Sequence, residues 1–312
     1  MIEPKVSIIL LNFNSYQDTN DCLVSLDNCT YQNFDIWIVD NASNDDSVEK
    51  LLHQHSKCHY ILSTENKGFS GGCNLGSKAA LEAGADYLLM LNNDTVVDPD
   101  FLMYLVHLAE RKEKVGLVGG KSYFYDRKDV FWDAGGLINL RKGNGKRIGH
   151  SQKDTGQFDE ERKVEFVTGC LMLVPREVAT KVGLLPECYF FGVEEWDYSC
   201  MVRRAGYDLW FSPKAKIWHK VGGAHSDLDP IFYYNFIRGR LLFMKRNAQK
   251  TTYLFWLLYF KLYSKYYKLY RYKSVFKNSL KLKLATTKAF VDHSKYNVIH
   301  KKHLDQLRHL LN

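Results

Sequence analysis

The stretch that decides the fold is Asp86-Tyr-Leu-Leu-Met-Leu-Asn92-Asn93-Asp94, an apolar run that ends abruptly in three amide and carboxylate side chains. A continuous apolar run of this length is typical of a parallel strand that is buried on both faces. In open α/β sheets, ligands bind at the carboxyl ends of such strands. The stretch therefore predicts a core strand that carries side chains able to hold a cation or a ribose to a binding site.

A turn without a function is the alternative interpretation. Asp98 suits a helix N-cap and Pro99 the first position of a helix, so a simple connection would explain both residues. It would not explain why three such side chains follow a core strand directly. Because binding residues concentrate in loops that a rigid scaffold positions, we favour a functional role for Asn92 and Asp94.

Three earlier segments show an alternation of strand and helix. Residues 6–11, 34–39 and 59–62 are short apolar runs, and each is followed by helical signals. Such alternation predicts an α/β fold with a parallel, doubly wound sheet and right-handed crossovers. Asn12 and Asp40 would then lie at the same edge of the sheet as Asn92 and Asp94.

The segment Glu65-Asn66-Lys67-Gly68-Phe69-Ser70-Gly71-Gly72 opens the third helix. Glycines there would let backbone N–H groups approach a ligand, and a helix N-terminus favours an anion such as a diphosphate. Helix starts also carry glycine for packing. Binding and packing are therefore equally open for this segment.

After residue 115 the alternation stops. Residues 139–163 are polar, basic and rich in glycine, and we expect a long mobile loop beside the site. Glu194, Glu195 and Asp197 then begin a helix that ends at Gly206. The helix dipole alone explains acids at a helix start, but aromatic residues surround these acids, and apolar surroundings raise the pKa of a carboxyl group toward the range of a general base. We therefore predict a catalytic role for Glu194 or Glu195.

Charge is distributed unevenly along the 312 residues. Residues 231–312 hold 18 Lys and Arg against 2 Asp and Glu, a net charge of +16, and because the whole chain carries +8, residues 1–230 carry −8. The two parts therefore have different partners. The seven cysteines form no Cys-x-x-Cys pair, which fits a reducing compartment. The chain shows neither a signal-peptide pattern nor an apolar run approaching the roughly 20 residues that span a bilayer, so we expect a cytoplasmic protein.

The C-terminal part is helical in pattern from Asp229 to the end. On a helical wheel, one face carries Lys261, Lys265 and Lys268, and the opposite face is aromatic, with Trp256, Phe260, Tyr263, Tyr267 and Tyr270. This pattern is typical of a helix that lies on an anionic membrane surface. Packing of the aromatic face on the rest of the chain or on a second subunit, as in a homo-oligomer, is the alternative.

Several segments together resemble family 2 glycosyltransferases, in particular the bacterial rhamnosyltransferase-like group that builds surface polysaccharides. They are residues 6–14, 38–43, 66–74, 89–99, 166–183, 190–206 and 217–219, in this order. The resemblance implies a GT-A fold, Rossmann-like with a mostly parallel central sheet, a nucleotide-sugar donor and an inverting mechanism. We accordingly expect a catalytic domain of residues 1–228, with a donor-binding half (about 1–120) and an acceptor and catalytic half (about 121–228), followed by the helical region 229–312.

The resemblance also gives roles to single residues. Asp40 would contact the nucleobase or the ribose, and Asn92-Asn93-Asp94 takes the place of the Asp-x-Asp metal motif. His219 ends a short strand and on its own would most often be structural, but here it would join Asp94 at the metal. The expected donor-binding residues are Asn12, Asn14, Asp40, Asn66, Gly68, Asn92 and Asn93, and the expected acceptor-binding residues are Trp196 and Asp197.

The chain departs from the family pattern at two positions. Asn92 replaces the first carboxylate of the metal motif, so that Asp94 is the charged ligand there, and the usual Glu-Asp pair reads Glu194-Glu195, which puts Glu195 at the position of the base. A divalent cation, Mg²⁺ or Mn²⁺, would neutralise charge on the leaving diphosphate. Glu195 would remove the proton from the acceptor hydroxyl as this group attacks the anomeric carbon.

Two other classes of protein were weighed against this interpretation. A nucleotidyltransferase would carry a glycine-rich, basic loop after its first strand, where this chain has Asn12-Phe-Asn-Ser-Tyr16. A nucleic-acid-binding protein would explain the basic C-terminal part but not the acidic residues of the N-terminal part. We therefore expect no nucleic-acid partner, a donor such as dTDP-rhamnose or a UDP-hexose, and a lipid-linked or growing surface polysaccharide as the acceptor at the inner face of the cell membrane.

Overall fold

The computed structural model describes residues 3–221, 230–271, 276–296 and 298–311, and within these ranges it describes no side chains for residues 264–280 or for residue 311. In the first 111 residues, strands and helices alternate as predicted up to the strand Tyr87–Leu91, after which a second strand, Thr95–Val97, follows without a helix between them. The elements of this part are β1 (Val6–Asn12), α1 (Tyr16–Leu26), β2 (Phe34–Asp40), α2 (Ser47–Gln54), β3 (His59–Leu62), α3 (Gly68–Glu82), β4 (Tyr87–Leu91), β5 (Thr95–Val97) and α4 (Phe101–Arg111).

Short strands, two helices and two long strands make up the middle of the chain, and helices make up its described end. The middle elements are β6 (Val115–Phe124), β7 (Phe131–Asp133), β8 (Gly136–Asn139), β9 (Asn144–Arg147), β10 (Arg162–Val164), β11 (Leu171–Pro175), α5 (Arg176–Lys181), α6 (Glu194–Arg204) and β12 (Asp208–His219). The final helices are α7 (Pro230–Asn247), α8 (Lys250–Arg271), α9 (Phe276–Lys295) and α10 (Lys301–Leu311).

A single large sheet runs through the molecule in the order β10-β12-β6-β11-β4-β1-β2-β3. β3, β2, β1 and β4 pair in parallel, which confirms the prediction for the first half of the chain. β6 and β12 of the second half also pair in parallel, so the expectation of a mostly parallel sheet is confirmed, and β11 lies antiparallel to both β4 and β6 between the two parallel groups. The sheet is therefore mixed, with parallel pairs on both sides of β11 and an antiparallel edge strand, β10.

The decisive strand β4 lies in the middle of this sheet, and all five of its residues are buried. One face of the sheet packs against α1 and α4 through residues such as Leu23 and Leu105. The other face packs against α3, α5 and α6 through residues such as Ala80 and Val202. Burial on both faces explains why the sequence of β4 is continuously apolar rather than alternating.

The segment 139–163, expected as a long mobile loop, is largely ordered into local structure. It contributes to a hairpin in which Gly136 to Asn139 of β8 pair with Asn144 to Arg147 of β9. Arg240 of α7 donates hydrogen bonds to the carbonyls of Lys142 and Gly143 at the hairpin turn. Contacts with residues about 100 positions away therefore order a segment whose own sequence has no apolar periodicity.

The C-terminal helices share a core with α6 and the loop before it. Their cluster joins α7 to Tyr189, Val193 and Trp196, which lie in α6 and the loop before it. Trp256 and Phe260 of α8 are 3% and 1% exposed, so this part of the predicted membrane-facing side lies inside the protein, as the alternative interpretation required. The side chains of Tyr267 and Tyr270, and the boundary predicted at residues 228 and 229, lie outside the described residues. None of the described helices combines the length and the hydropathy needed to cross a bilayer.

Candidate active site

The carboxyl ends of β1 and β2 form a polar network around Asn12. The Asn12 amide donates to Asp40 Oδ1 at 3.0 Å and to Ser47 Oγ at 3.0 Å, and its oxygen accepts from Thr19. Asp40 in turn accepts from the backbone N–H of Ser43 at 2.9 Å. Asn12 is fully buried. The side chain of this predicted donor-binding residue is therefore used inside the protein, where it orients Asp40.

The loop after β2 is tied to the loop before α3. The Asn41 amide donates to Asn66 Oδ1 and to the Gly68 carbonyl, both at 3.1 Å. Asn66 Oδ1 also accepts from the Gly68 N–H at 2.9 Å. Asn14, exposed and in the left-handed region with φ 51°, accepts from the N–H of Asn44. Asn14, Asn66 and Gly68 thus shape the rim of the site at this edge of the sheet.

Gly68 has a packing requirement of its own. Its φ is 70°, and a Cβ at this position would lie 2.1 Å from the carbonyl oxygen of Phe190. The neighbouring Phe69 N–H donates to the same oxygen at 2.8 Å. Since Phe190 belongs to the loop that precedes Glu194, the start of α3 holds the loop of the candidate base. This contact supplies the packing reason that the sequence left open.

Asp94 and His219 meet because β5 pairs with β12. Thr95 is the register partner of His219, so the residue before β5 lies beside the last residue of β12. Asp94 Oδ1 lies 3.0 Å from His219 Nε2. Asn92 Nδ2 lies 3.4 Å from the same nitrogen. Burial opposes ionisation of Asp94, but the contacts with His219 outweigh it and hold the pKa of the carboxyl group below its ordinary value.

These donor atoms fit a divalent cation. Asp94 Oδ1 is buried without a hydrogen bond of acceptable geometry, despite its short distance to His219. In the tautomer that carries its proton on Nδ1, His219 would present the Nε2 lone pair on the side where Asp94 Oδ1 lies, 3.0 Å away. Oxygen and imidazole nitrogen are the ligands that such cations take. The part of the chain that the structure describes contains no group of three His, Cys, Asp or Glu side chains that could hold a metal ion.

Asn93 points away from this pair. Its amide donates to Thr19 Oγ1 at 2.8 Å, and Thr19 also contacts Asn12. The middle residue of the motif therefore connects the β4 end to the network beneath Asp40. Asn92 and Asp94 are the two motif residues that face His219.

Glu194 and Glu195 begin α6, and their environments differ. Glu194 is 4% exposed, its Oε2 has no hydrogen-bond partner among the described residues, and burial together with the charge of Glu195 raises its pKa well above 4.5. Glu195 remains partly exposed. Burial also raises the pKa of Glu195, while the charge of Arg147 lowers it. Burial is thus the main cause of the raised pKa at both carboxyl groups, while Glu195 also lies near the charges of Arg147 and Asp133.

The backbone before these acids is strained. Gly192 and Val193 both adopt left-handed conformations, with φ values of 83° and 81°. A β-branched residue in this region costs on the order of 1–3 kcal/mol and persists only where the surroundings enforce it. Val193 is buried in the core that α6 shares with α7. The loop therefore reaches α6 at an angle that fixes the first turn and both glutamates.

Three residues of the site were not predicted from the sequence. Trp132 of β7 stands edge-on to His219 with ring centroids 4.6 Å apart, and the Arg147 guanidinium lies 4.2 Å from the Trp132 ring. Asp133 is 3% exposed and accepts from Thr168 at 3.0 Å. In the sequence Phe131-Trp-Asp-Ala-Gly-Gly136, an acidic residue follows two aromatic residues. This pattern was the one sequence feature that could have indicated Trp132 and Asp133 as site residues.

The two predicted acceptor-binding residues are buried. Trp196 is 8% exposed and packs against Phe243 of α7. Asp197 is fully buried, and its carboxylate accepts from Tyr189 at 3.1 Å, from Arg246 at 2.5 Å and from Asn247 at 2.7 Å. Both side chains thus join α6 to α7, and neither is exposed to a ligand in this structure.

Solved structures share this architecture. The structure of GalNAc-T7 with UDP, GalNAc and Mn²⁺ superposes with a TM-score of 0.60 at 14% identity, over 97% of this chain and 56% of that one. The mannosyltransferase PcManGT from Pyrobaculum calidifontis, in complex with GDP-Man and Mn²⁺, gives a TM-score of 0.56 at 15% identity, over 100% of this chain and 79% of that one. The fold is therefore of the GT-A type.

The family model for glycosyl transferase family 2 matches residues 7–183, more than half of the chain, and the chain belongs to this family. A Sinorhizobium fredii protein, y4gI, which is named only as uncharacterised, is 26% identical over 231 residues, 70% of this chain. Poly-beta-1,6-N-acetyl-D-glucosamine synthase of Staphylococcus aureus is 24% identical over 223 residues, 69% of this chain. The chain spans 24% and 50% of these two relatives.

Proposed function

We propose that this protein is an inverting glycosyltransferase that moves a sugar from a nucleotide donor to a hydroxyl group. The observation that carries the proposal is the pair Asp94 and His219, two metal-ligand types that face each other at 3.0 Å on the sheet edge next to the Asp40 network. Family membership and the Mn²⁺ and nucleotide ligands named for both structural relatives support it.

Asp94 and His219 would hold the cation, with Mg²⁺ and Mn²⁺ as the candidates. When bound, the cation supplies Lewis-acid stabilisation of the leaving diphosphate. The Asn92 side chain, whose Nδ2 lies 3.4 Å from His219 Nε2, would lie beside the cation. Asp40, oriented by Asn12 and Ser43, would accept hydrogen bonds from the nucleoside at the neighbouring strand end.

Glu195 is the proposed base. It is partly exposed and can reach a substrate, whereas Glu194 is buried. Its raised pKa brings it nearer to the range in which a carboxylate accepts a proton effectively at neutral pH. Burial favours the protonated, uncharged form of Glu194. Glu195 would then have no second negative charge beside it. Glu194 remains the alternative base, and the variants Glu195→Gln and Glu194→Gln distinguish the two assignments.

The donor and the acceptor are proposed as chemical classes. The first candidate donor is dTDP-rhamnose, and the second is a UDP-hexose. The name of the Staphylococcus relatives includes a polymer of N-acetylglucosamine, which supports the second candidate. The acceptor would be a lipid-linked or growing surface polysaccharide, reached from the cytoplasmic face of the membrane.

A donor-hydrolysis screen over nucleotide sugars, with and without excess EDTA, tests the proposal. We expect hydrolysis of one donor, its loss in EDTA and its return with Mn²⁺ or Mg²⁺. Glu195→Gln should lower transfer by roughly 10²- to 10⁴-fold with donor binding retained, and Glu194→Gln is the matched comparison. Undiminished activity in EDTA would refute the metal assignment, and selective loss in Glu194→Gln would move the base by one residue.

A further inference from the structure

One face of α8 exposes large apolar side chains. Leu254, Phe255, Leu258, Tyr259 and Leu262 are 53%, 78%, 61%, 61% and 51% exposed. Their spacing of one, three or four residues places them together on one side of the helix, which we name the outer face of α8. The opposite side carries the buried residues Trp256 and Phe260.

This face differs from the other exposed apolar residues of the protein. Residues such as Leu62 on β3 and Leu310 on α10 are equally exposed but are isolated along the chain. Isolated exposed apolar residues are normal on soluble proteins, whereas a contiguous patch indicates an interaction surface. The outer face is therefore a candidate interaction surface. It differs from the aromatic face that the sequence pattern indicated, which contains Trp256 and Phe260.

The charge around the outer face selects the partner. The sequence contains no Asp or Glu between residues 231 and 291, a segment that includes all of α7 and α8. Lys250 and Lys261 are exposed and fall along one border of the outer face by helical spacing. A second copy bound through the same face would bring two acid-free, basic segments together, and like charges across an interface oppose association. An anionic surface has the complementary charge.

We propose that the outer face of α8 inserts into the headgroup region of an anionic lipid bilayer, with α8 parallel to the membrane plane. Large apolar side chains enter the boundary while the flanking lysines contact anionic headgroups, each adding attraction that is screened by salt. The inference does not depend on which sugar is transferred. It would, however, bring the site to the membrane on which a lipid-linked acceptor resides.

The contacts of α8 would couple such docking to the site. The Trp256 ring lies against Gly143 at the β8–β9 turn, where a Cβ would be 2.5 Å from the ring. Arg240 donates to the same turn and lies 4.5 Å from the Phe260 ring. The β9 strand of this hairpin carries Arg147, which lies over the Trp132 ring in the site. The docked helix would therefore contact the same hairpin that lines the site.

Co-sedimentation with vesicles of phosphatidylcholine containing increasing phosphatidylglycerol tests the proposal on the full chain. Binding should rise with the anionic fraction and fall with salt. The triple variant Leu254→Ser, Phe255→Ser, Leu258→Ser should bind at least about tenfold more weakly, because each large apolar side chain contributes substantially to transfer from water. Leu62→Ser, at 59% exposure on β3, is the control and should bind like the wild type.

Further measurements separate the alternatives. Lys250→Glu with Lys261→Glu should weaken binding to anionic vesicles. Unchanged thermal unfolding and unchanged hydrolysis of a soluble donor in the triple variant would show that fold and site are intact, so that loss of docking and failure of the proposed function are distinguishable. Absence of wild-type binding at low salt, or triple-variant binding equal to wild type, would overturn the proposal. A dimer in light scattering that the triple variant abolishes, without vesicle binding, would assign the face to a second copy.

Discussion

Asp133→Asn should stabilise the protein at neutral pH. Asp133 is 3% exposed, its Oδ1 has no hydrogen-bond partner among the described residues, and its Oδ2 accepts one hydrogen bond from Thr168. Burial raises the pKa of this carboxyl group from 3.8 to about 6, although Thr168 and Arg147 lower it in part. Asparagine has the same shape, can accept the Thr168 hydrogen bond and carries no charge to bury.

The sign and size follow from proton linkage. The folded state binds the Asp133 proton more tightly than the unfolded state, so the free energy of unfolding falls as the pH rises from about 3.8 to about 6 and stays lowered above that range. A shift of about 2 units corresponds to about 3 kcal/mol. The variant should therefore be more stable than wild type by about 3 kcal/mol at pH 7.5 and by only about 1 kcal/mol at pH 4.5.

Urea unfolding of both proteins at the two pH values, in metal-free buffer, measures this difference. An equal gain at both pH values would show that packing rather than ionisation is responsible, and a less stable variant at pH 7.5 would refute the argument. We also expect slower transfer, because the charge of Asp133 helps to raise the pKa of Glu195 and the variant removes that charge. Stabilising changes at such sites commonly reduce function.

Three more predictions concern the loops of the site. Gly68→Ala should lower the free energy of unfolding by at least about 2 kcal/mol more than Gly84→Ala, since both glycines have positive φ but only the first would place a Cβ against the Phe190 carbonyl; thermal unfolding measures it. The acidic limb of the pH–rate profile should lie above pH 4.5, because burial raises the pKa of Glu195, and Glu195→Gln should abolish the limb. Asp197→Ala should destabilise the fold by about 1–3 kcal/mol in urea, because it removes the acceptor of the Tyr189 hydroxyl and of the Asn247 amide; a raised acceptor KM with unchanged stability would instead favour the acceptor-binding role.

The parallel strands β1 to β4 and the polar residues at their carboxyl ends were predictable because local patterns determine them. β1, β2 and β4 are apolar runs that end in Asn12, Asp40 and Asn92, and any strand that ends in a polar residue at this edge carries it toward the site. The pairing of Asp94 with His219 was inferred from family resemblance rather than from the pattern. Its physical cause, the antiparallel pairing of β5 with β12, joins residues more than 120 positions apart.

Other features depend on contacts that no local pattern encodes. Asp197 looked like a ligand-binding acid, but Arg246 and Asn247, about 50 residues later, bind it inside the protein. The order of the β8–β9 hairpin depends on Arg240. Helix α8 carries apolar side chains on both sides, and the sequence alone could not show that the side with Trp256 would be buried and the side with Phe255 exposed.

The loop before α6 explains why the C-terminal helices belong to the catalytic architecture. Its Phe190 carbonyl is held by the start of α3 on the donor side. On the other side, Gly239 of α7 lies so close to Gly192 and Val193 that an added Cβ would contact both within 3.2 Å. The left-handed conformation of Val193 is unfavourable in isolation and needs such a clamp. Removal of α7 would release this strain and with it the orientation of Glu194 and Glu195, so α7, which shares a core with the proposed membrane-docking helix α8, also positions the proposed base.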